Sequence, residues 1–216
     1  MHMRNISFTE GEYYHIYNRG VDKRNIFVNN EDHVRFLLGM KEFNVLDPIG
    51  SIYENSFIKE LPGHKIHKQK PLVNFIAFCL NPNHYHFILQ QATGKGIEKY
   101  MHRLGTGYTK YFNNKYKRSG VLFQGKFKAI NIDSNEYLLH LSAYVNLNYL
   151  VHQLGNRASK SSWNEYIATQ KGICNKRIIL NQFKNVDEYK NFATDSLKDI
   201  LERKQSDKEL KAMLFE

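Results

Sequence analysis

Two histidines separated by one tyrosine, His84 and His86 in NPNHYHFILQ, are the residues whose types and spacing most directly suggest chemistry. In an extended segment residues two apart point to one face, so both imidazoles project together while Tyr85 turns away. Such a pair can chelate one divalent cation. Two imidazoles leave an ion short of ligands, so a third protein group has to come from another element. A helix expected after Ser134 offers candidates. With Leu138, Leu141, Val145 and Tyr149 as its buried stripe, Tyr144 and Asn148 fall together on the stripe's border at i, i+4. One helix edge then presents a phenol beside an amide. Each residue also has an ordinary explanation: a structural His-x-His in a strand, a tyrosine capping the core, an asparagine facing water. Spacing alone leaves both readings open.

The elements that must position these residues follow from periodicity and punctuation. EYYHIYNRG (12–20) is rich in β-formers and closes on a turn, which predicts a strand. NNEDHVRFLLGMKEF opens with a capping Asn and early acids and sets Val34, Leu37, Leu38 and Phe43 at roughly helical spacing. Residues 45–70, with Pro48, Gly50, Pro62, Gly63 and the run GHKIHKQK, lack sustained periodicity and read as a long basic loop. LVNFIAFCL (72–80) and HYHFILQQ (84–91), joined by a Pro-Asn turn, predict a central antiparallel hairpin. A second helix follows, running to about Tyr116 on Ile97, Tyr100, Met101, Leu104, Tyr108, Tyr111 and Phe112, with Gly105 and Gly107 as points of kinking or close approach. VLFQGKFKAINID returns to β character, and Ser134 caps the third helix, which is expected to end before Gly155. The order β-α-β-β-α-β plus a helix describes an α+β, ferredoxin-like (RRM-like) antiparallel sheet with helices on one face, an additional helix bearing Tyr144, and a helical C-terminal extension.

Composition narrows the function class. With 216 residues and 42% hydrophobic content the chain can bury a real core. No apolar run is long enough to span a membrane and the first residues lack a secretory core, so a cytoplasmic protein without a membrane partner is expected. Cys79 and Cys174 are far apart, and Cys79 sits in an apolar strand pattern; free thiols are expected, not a zinc site. The formal charge is +10, and residues 95–128 carry nine cations against Glu98, a local net of +8. Interleaved with them are Tyr100, Tyr108, Tyr111, Phe112, Tyr116 and Phe123. Clustered cations among aromatic faces suit phosphates and bases, which marks Arg103, Lys110, Lys115, Lys117, Arg118, Lys126 and Lys128 as candidate DNA contacts. The aromatics by themselves equally suit a helix's core face.

Taken in order, YYHIYNRG, FCLNPNHYHFILQ, GTGYTKYFNNKYKRSGVLFQGKFKA and EYLLHLSAYVNLNYL resemble the single-tyrosine HUH transposases, small insertion-sequence enzymes acting on single-stranded DNA, and within them the REP-associated branch. The similarity runs from about Glu12 to Leu154, with weaker likeness in SSWNEY and DEYKNF. The resemblance implies a catalytic domain over residues 1–155 and an extension over 156–216. It implies that His84 and His86 bind Mg²⁺ or Mn²⁺, that Asn148 completes the metal site, and that Tyr144 is the nucleophile forming a 5′-phosphotyrosyl intermediate. Single-stranded or hairpin DNA is the implied partner, and a homodimer exchanging the tyrosine helix is among the implied assemblies. The chain has Tyr149 where the family often has proline, so the helix is expected to run on past it. Alternatives from other classes are a non-catalytic nucleic-acid-binding module of ferredoxin-like fold, a water-activating metal hydrolase, and a domesticated nuclease processing repetitive hairpins.

Overall fold

The computed structural model describes residues 6–60, 70–154, 158–168 and 171–213. In chain order these form β1 (Tyr13–Arg19), α1 (Asn30–Glu42), α2 (Ile52–Glu60), β2 (Val73–Asn81), β3 (His84–Gln91), α3 (Gly96–Lys115), β4 (Lys128–Ile132), α4 (Asn135–Asn146), α5 (Asn148–Val151), β5 (Lys160–Ser161), α6 (Trp163–Ile167), α7 (Arg177–Leu180) and α8 (Val186–Met213). The strands lie in the order β4-β1-β3-β2-β5, and every neighbouring pair is antiparallel. The first four keep the ferredoxin-like order that the element sequence predicts.

β2 and β3 read as apolar runs because both faces of the sheet are covered. On one face Tyr14, Ile16, Phe75, Phe78, Tyr85, Phe87 and Leu89 pack with Phe36 and Met40 of α1 and Tyr100, Leu104, Tyr108 and Phe112 of α3. On the other, Ile76, Ala77, Cys79 and Ile88 pack with Leu138, Leu141 and Val145 of α4 and with Tyr166, Ile179, Tyr189 and Ala193 beyond it. The additional helix and the C-terminal helices therefore form a third layer, across the sheet from α1 and α3. A bulge at Phe75/Ala77 resets the alternation of β2. Before it odd-numbered residues face α1 and α3; after it Cys79 joins the α4 side, and Asn81 follows the same alternation.

Three local expectations need correction. The buried stripe of α1 is His33, Phe36 and Met40 followed by Phe43, whereas Val34 is 55% and Leu38 40% exposed. The stripe is rotated because His33 is drawn inward to stack on Phe27 at 4.5 Å. Part of the 45–70 segment is helix, not loop: Ser51 and Glu54 cap α2 reciprocally, Glu54 N–H to Ser51 Oγ at 3.0 Å and Ser51 N–H to Glu54 Oε2 at 2.9 Å. Residues 61–69, with most of the run GHKIHKQK, lie outside the described residues. The third helix is capped by Ser134 as expected but ends at Asn146, and helix resumes at Asn148 after Leu147 (φ −107°, ψ 12°), without any proline. The break coincides with Asn146 being held by buried partners, its Nδ2 donating to Tyr189 Oη at 2.9 Å and its Oδ1 accepting from Ser162 at 2.5 Å.

Candidate active site

The β3 alternation puts His84 and His86 on the α4 face and Tyr85 on the other, where Tyr85 is 3% exposed beside Phe36 and Phe87. Tyr144 reaches the pair from α4, its ring 5.6 Å from that of His86 and nearly perpendicular to it. Asn148, fully buried in the first turn of α5, brings its Oδ1 to 3.3 Å from His84 Nε2. The two imidazoles, the phenol and the amide that spacing could only nominate thus meet at one place, within one chain.

Their orientation comes from neighbours that sequence reasoning missed. Asn83 donates its amide N–H to Lys23 O at 3.2 Å, so its Oδ1 faces His84 Nδ1 at 2.6 Å. That fixes the proton on Nδ1 and leaves a lone pair on His84 Nε2. Asn81, directly opposite His84 in the β2–β3 register, points its Nδ2 at both His84 Nε2 (2.9 Å) and Asn148 Oδ1 (2.6 Å), while its own oxygen accepts from Ser159 at 2.9 Å. His15 on β1 lies 2.9 Å from His86 Nδ1 through its Nε2, with the rings stacked 5.1 Å apart. His152 approaches His84 at 4.7 Å between ring centroids. His15 was visible as a histidine in a strand; what was not visible is which strand lies beside it.

Burial keeps these imidazoles neutral. It is the largest cause in each case, lowering His15 to about 4, lowering His84 to about 4 with help from His152, and holding His86 well below its ordinary value with help from His15 and His84. Burial raises the Tyr144 phenol, opposed by its interaction with the Asn148 side chain, and pushes the Cys79 thiol up to about 12. Cys79 and Cys174 are both free. Among the described residues no three His, Cys, Asp or Glu side chains converge as a metal site. The donor set for an ion is therefore two neutral imidazoles and an amide oxygen. Two of these donors are close enough to share one: donors each about 2.1 Å from a small divalent cation lie no more than about 4.2 Å apart, and His84 Nε2 and Asn148 Oδ1 are 3.3 Å apart, with the His86 ring beside that of His84 at 5.2 Å between centroids. The Asn81 N–H groups now present positive charge to those same two lone pairs. Asn148 Oδ1 accepts from Asn81 Nδ2, so it is the atom that faces this contact.

The candidate DNA cations do not form one surface. Arg103 donates to the carbonyls of Val45 (2.6 Å) and Leu46 (3.1 Å), and Arg118 to Asn113 Oδ1 (2.7 Å). Lys115 pairs with the buried Asp32 at 2.8 Å and with Glu31 at 2.9 Å. Lys110, Lys117, Lys126 and Lys128 are exposed, and Lys128 lies on the candidate-site face, 6.0 Å above the Tyr17 ring. Of the aromatics, Tyr100, Tyr108 and Phe112 are at most 4% exposed and serve the core, not bases. A cavity of about 770 Å³ between α1, α3 and the start of α2 includes Arg35, His102, Arg103 and Lys110 in its lining, but it lies on the α1/α3 face, away from the histidines. No described helix is long and apolar enough to cross a membrane.

Fold and site together define an α+β protein in which a phenol on a helix faces an imidazole pair on the centre of a ferredoxin-like sheet. Residues 56–148, which hold both histidines, Tyr144 and Asn148, match the family described as IS200-like transposases. It is similar in fold to a solved structure described as the REP-associated tyrosine transposase bound to a REP hairpin, with a TM-score of 0.52 and 11% identity over 80% of this chain and 90% of that one. No curated protein matches the chain.

Proposed function

We propose that the protein is an IS200-like transposase of the REP-associated branch, which cleaves and rejoins single-stranded, hairpin-bearing DNA through a 5′-phosphotyrosyl link to Tyr144. The observation that carries this reading is the meeting of Tyr144 with His84, His86 and Asn148 at one place; the solved relative bound to a REP hairpin supports the choice of DNA. His84, His86 and Asn148 would hold Mg²⁺ or Mn²⁺. When bound, the cation supplies charge neutralisation at a non-bridging oxygen of the scissile phosphate.

The Tyr144 oxygen attacks phosphorus, the Oη–P bond forms and the P–O3′ bond breaks. The 3′ oxygen leaves with the phenol's proton as a free hydroxyl on the upstream fragment, and the downstream fragment stays on the tyrosine through its 5′-phosphate. Attack of another 3′-OH on that link restores a phosphodiester and returns the proton to Tyr144. One phosphoester replaces another at each step, so no external energy source is needed. Burial raises the phenol above its ordinary value, so it enters the reaction protonated and must give up its proton as the Oη–P bond forms. Tyr144 serves the histidines of its own chain in this reading, since those rings are its neighbours. Residues 156–216 then act as an extension of the 1–155 catalytic domain, with Tyr189 of α8 bonded to Ser142 and Asn146 of the tyrosine helix. Of the seven candidate cations, Lys110, Lys117, Lys126 and Lys128 are exposed and can meet phosphates.

The test is incubation with labelled single-stranded hairpin DNA and Mn²⁺, followed by denaturing electrophoresis. A covalent protein–DNA species is expected, abolished by EDTA, by Tyr144→Phe and by the double change His84→Ala, His86→Ala. An adduct that survives Tyr144→Phe overturns the assignment, and cleavage without any adduct points instead to a water-activating hydrolase.

A further inference from the structure

The sheet face that carries the candidate site is only partly covered. α4 lies over β2 and β3, where Cys79 and Ile88 join its core. Toward β4 the same face opens: Ile130 is 41% exposed, Lys128 is exposed and Tyr17 is half-buried. The strand registers align Lys128, Tyr17 and His86 in one row, since Tyr17 pairs with Lys128 on β4 and with His86 on β3. Neighbours in such a row are about 4.8 Å apart. Tyr17 is therefore one strand spacing from His86, and its ring runs nearly parallel to that imidazole (19°, centroids 5.7 Å apart). Its ring is tilted by 32° to that of His15, centroids 5.0 Å apart, and the Lys128 ammonium stands 6.0 Å above it. A partly exposed aromatic ring, flanked by two buried histidines, with a cation above it and exposed Lys126 and Arg19 nearby, has the composition of a stacking platform for a nucleotide.

We propose that Tyr17 stacks the base adjoining the scissile phosphate, and that Lys128 moves from the Tyr17 ring to that nucleotide's phosphate. The occupant is a single-stranded nucleotide, because an open π-face beside cations accepts an unpaired base, whereas a duplex keeps its bases stacked on one another. This rests on the reading of His84, His86 and Tyr144 as the cleavage site, since the platform matters through its place next to them. It adds a contact on the path of the strand that lies outside the 95–128 aromatic set, most of which serves the core.

The experiment uses full-length protein carrying Tyr144→Phe, which stops chemistry, and a DNA hairpin with a single-stranded flank bearing 2-aminopurine at one position at a time. Protein should quench emission at one flank position. Adding Tyr17→Leu, which keeps bulk but removes the π-face, should restore that emission and weaken binding about 5- to 150-fold, the worth of one base–aromatic stack. Tyr17→Phe should keep both, and Lys128→Ala should lower the salt slope of binding by about one. Unchanged quenching in Tyr17→Leu overturns the proposal. A measurement free of any change at Tyr17 guards against misfolding: iododeoxyuridine at the quenched position, photocrosslinked to protein with Tyr17 intact, should map to Tyr17 by mass spectrometry, and a crosslink mapping elsewhere also overturns it. Normal covalent adduct in otherwise wild-type protein with no effect of Tyr17→Leu sinks the platform alone; a platform without any adduct sinks the cleavage reading alone.

Discussion

Replacing His15 by phenylalanine tests whether the candidate metal site depends on a residue that never touches the ion. His86 is neutral, so it carries one ring proton, and its Nδ1 is 2.9 Å from His15 Nε2. For His86 to offer a lone pair from Nε2, that proton must sit on Nδ1 and be accepted by His15. Phenylalanine keeps a ring of similar size and removes the acceptor. His15 and His86 are 6% and 9% exposed, so water cannot readily replace the lost partner. A buried donor without an acceptor costs about 1–3 kcal/mol, which translates into a loss of cation affinity of about 5- to 150-fold; losses of outer partners of metal ligands elsewhere, about 10- to 100-fold, fall in the same range. His15→Gln, whose amide oxygen can accept the same proton, should recover much of it. The assay is direct Mn²⁺ binding by electron paramagnetic resonance, paired with adduct formation as a function of Mn²⁺. Both midpoints should move together to higher Mn²⁺ while the adduct plateau is regained. Wild-type Mn²⁺ affinity in His15→Phe would refute the tautomer argument, and an unshifted midpoint with a lost plateau would place His15 in a different step.

Two further predictions concern the scaffold on the opposite face. Asp32 is fully buried and accepts from Val28 N (2.8 Å), Asn29 N (3.2 Å), Lys115 Nζ (2.8 Å), Tyr116 Oη (2.8 Å) and Tyr111 Oη (3.2 Å). Asp32→Asn leaves Lys115 facing an amide and should cost about 3 kcal/mol or more in chemical denaturation; a cost below about 1 kcal/mol would mean that the network is ornamental. Burial alone would raise the Asp32 pKa, but its bonds to Lys115, Tyr116 and two backbone N–H groups hold it below the ordinary value. Its contribution is thus present above the unfolded carboxylate pKa near 4 and is lost as pH falls through the lower folded value, and Asp32→Asn should remove that part of the acid sensitivity. On α3, a methyl group at Gly107 would lie 2.7 Å from two atoms of the Phe43 ring, whereas one at Gly105 would meet nothing within 4 Å. Gly105→Ala should therefore stabilise by about 1 kcal/mol and Gly107→Ala should destabilise by about 1–2 kcal/mol, the helix gain being outweighed by overpacking; the opposite order of melting temperatures would contradict this packing.

Local signals carried far where one element contained the whole pattern. HYHFILQQ is a strand over its full expected length, because its period-2 parity and flanking turn are properties of contiguous residues. Ser134 caps α4 for the same reason. The capping pair Ser51 and Glu54 was also readable, and the Pro and Gly content around it obscured it. The face of α1 was not readable, because His33 is buried by a partner, Phe27, that a hydrophobic count does not weigh against Val34 and Leu38.

By itself the sequence determined the ferredoxin-like order of elements and the shared face of His84 and His86, both of which follow from backbone periods, whereas the single helix expected to carry Tyr144 and Asn148 is broken at Leu147. Only the tertiary structure decided what surrounds them. A bulge in β2 turned Asn81 toward His84, strand register set His15 and Tyr17 against His86, and the break after Asn146 seated Asn148 on His84. These are pairings between residues as much as 71 positions apart. Their alignment depends on which strands adjoin and in what register, a choice made by burying two faces of one sheet at once.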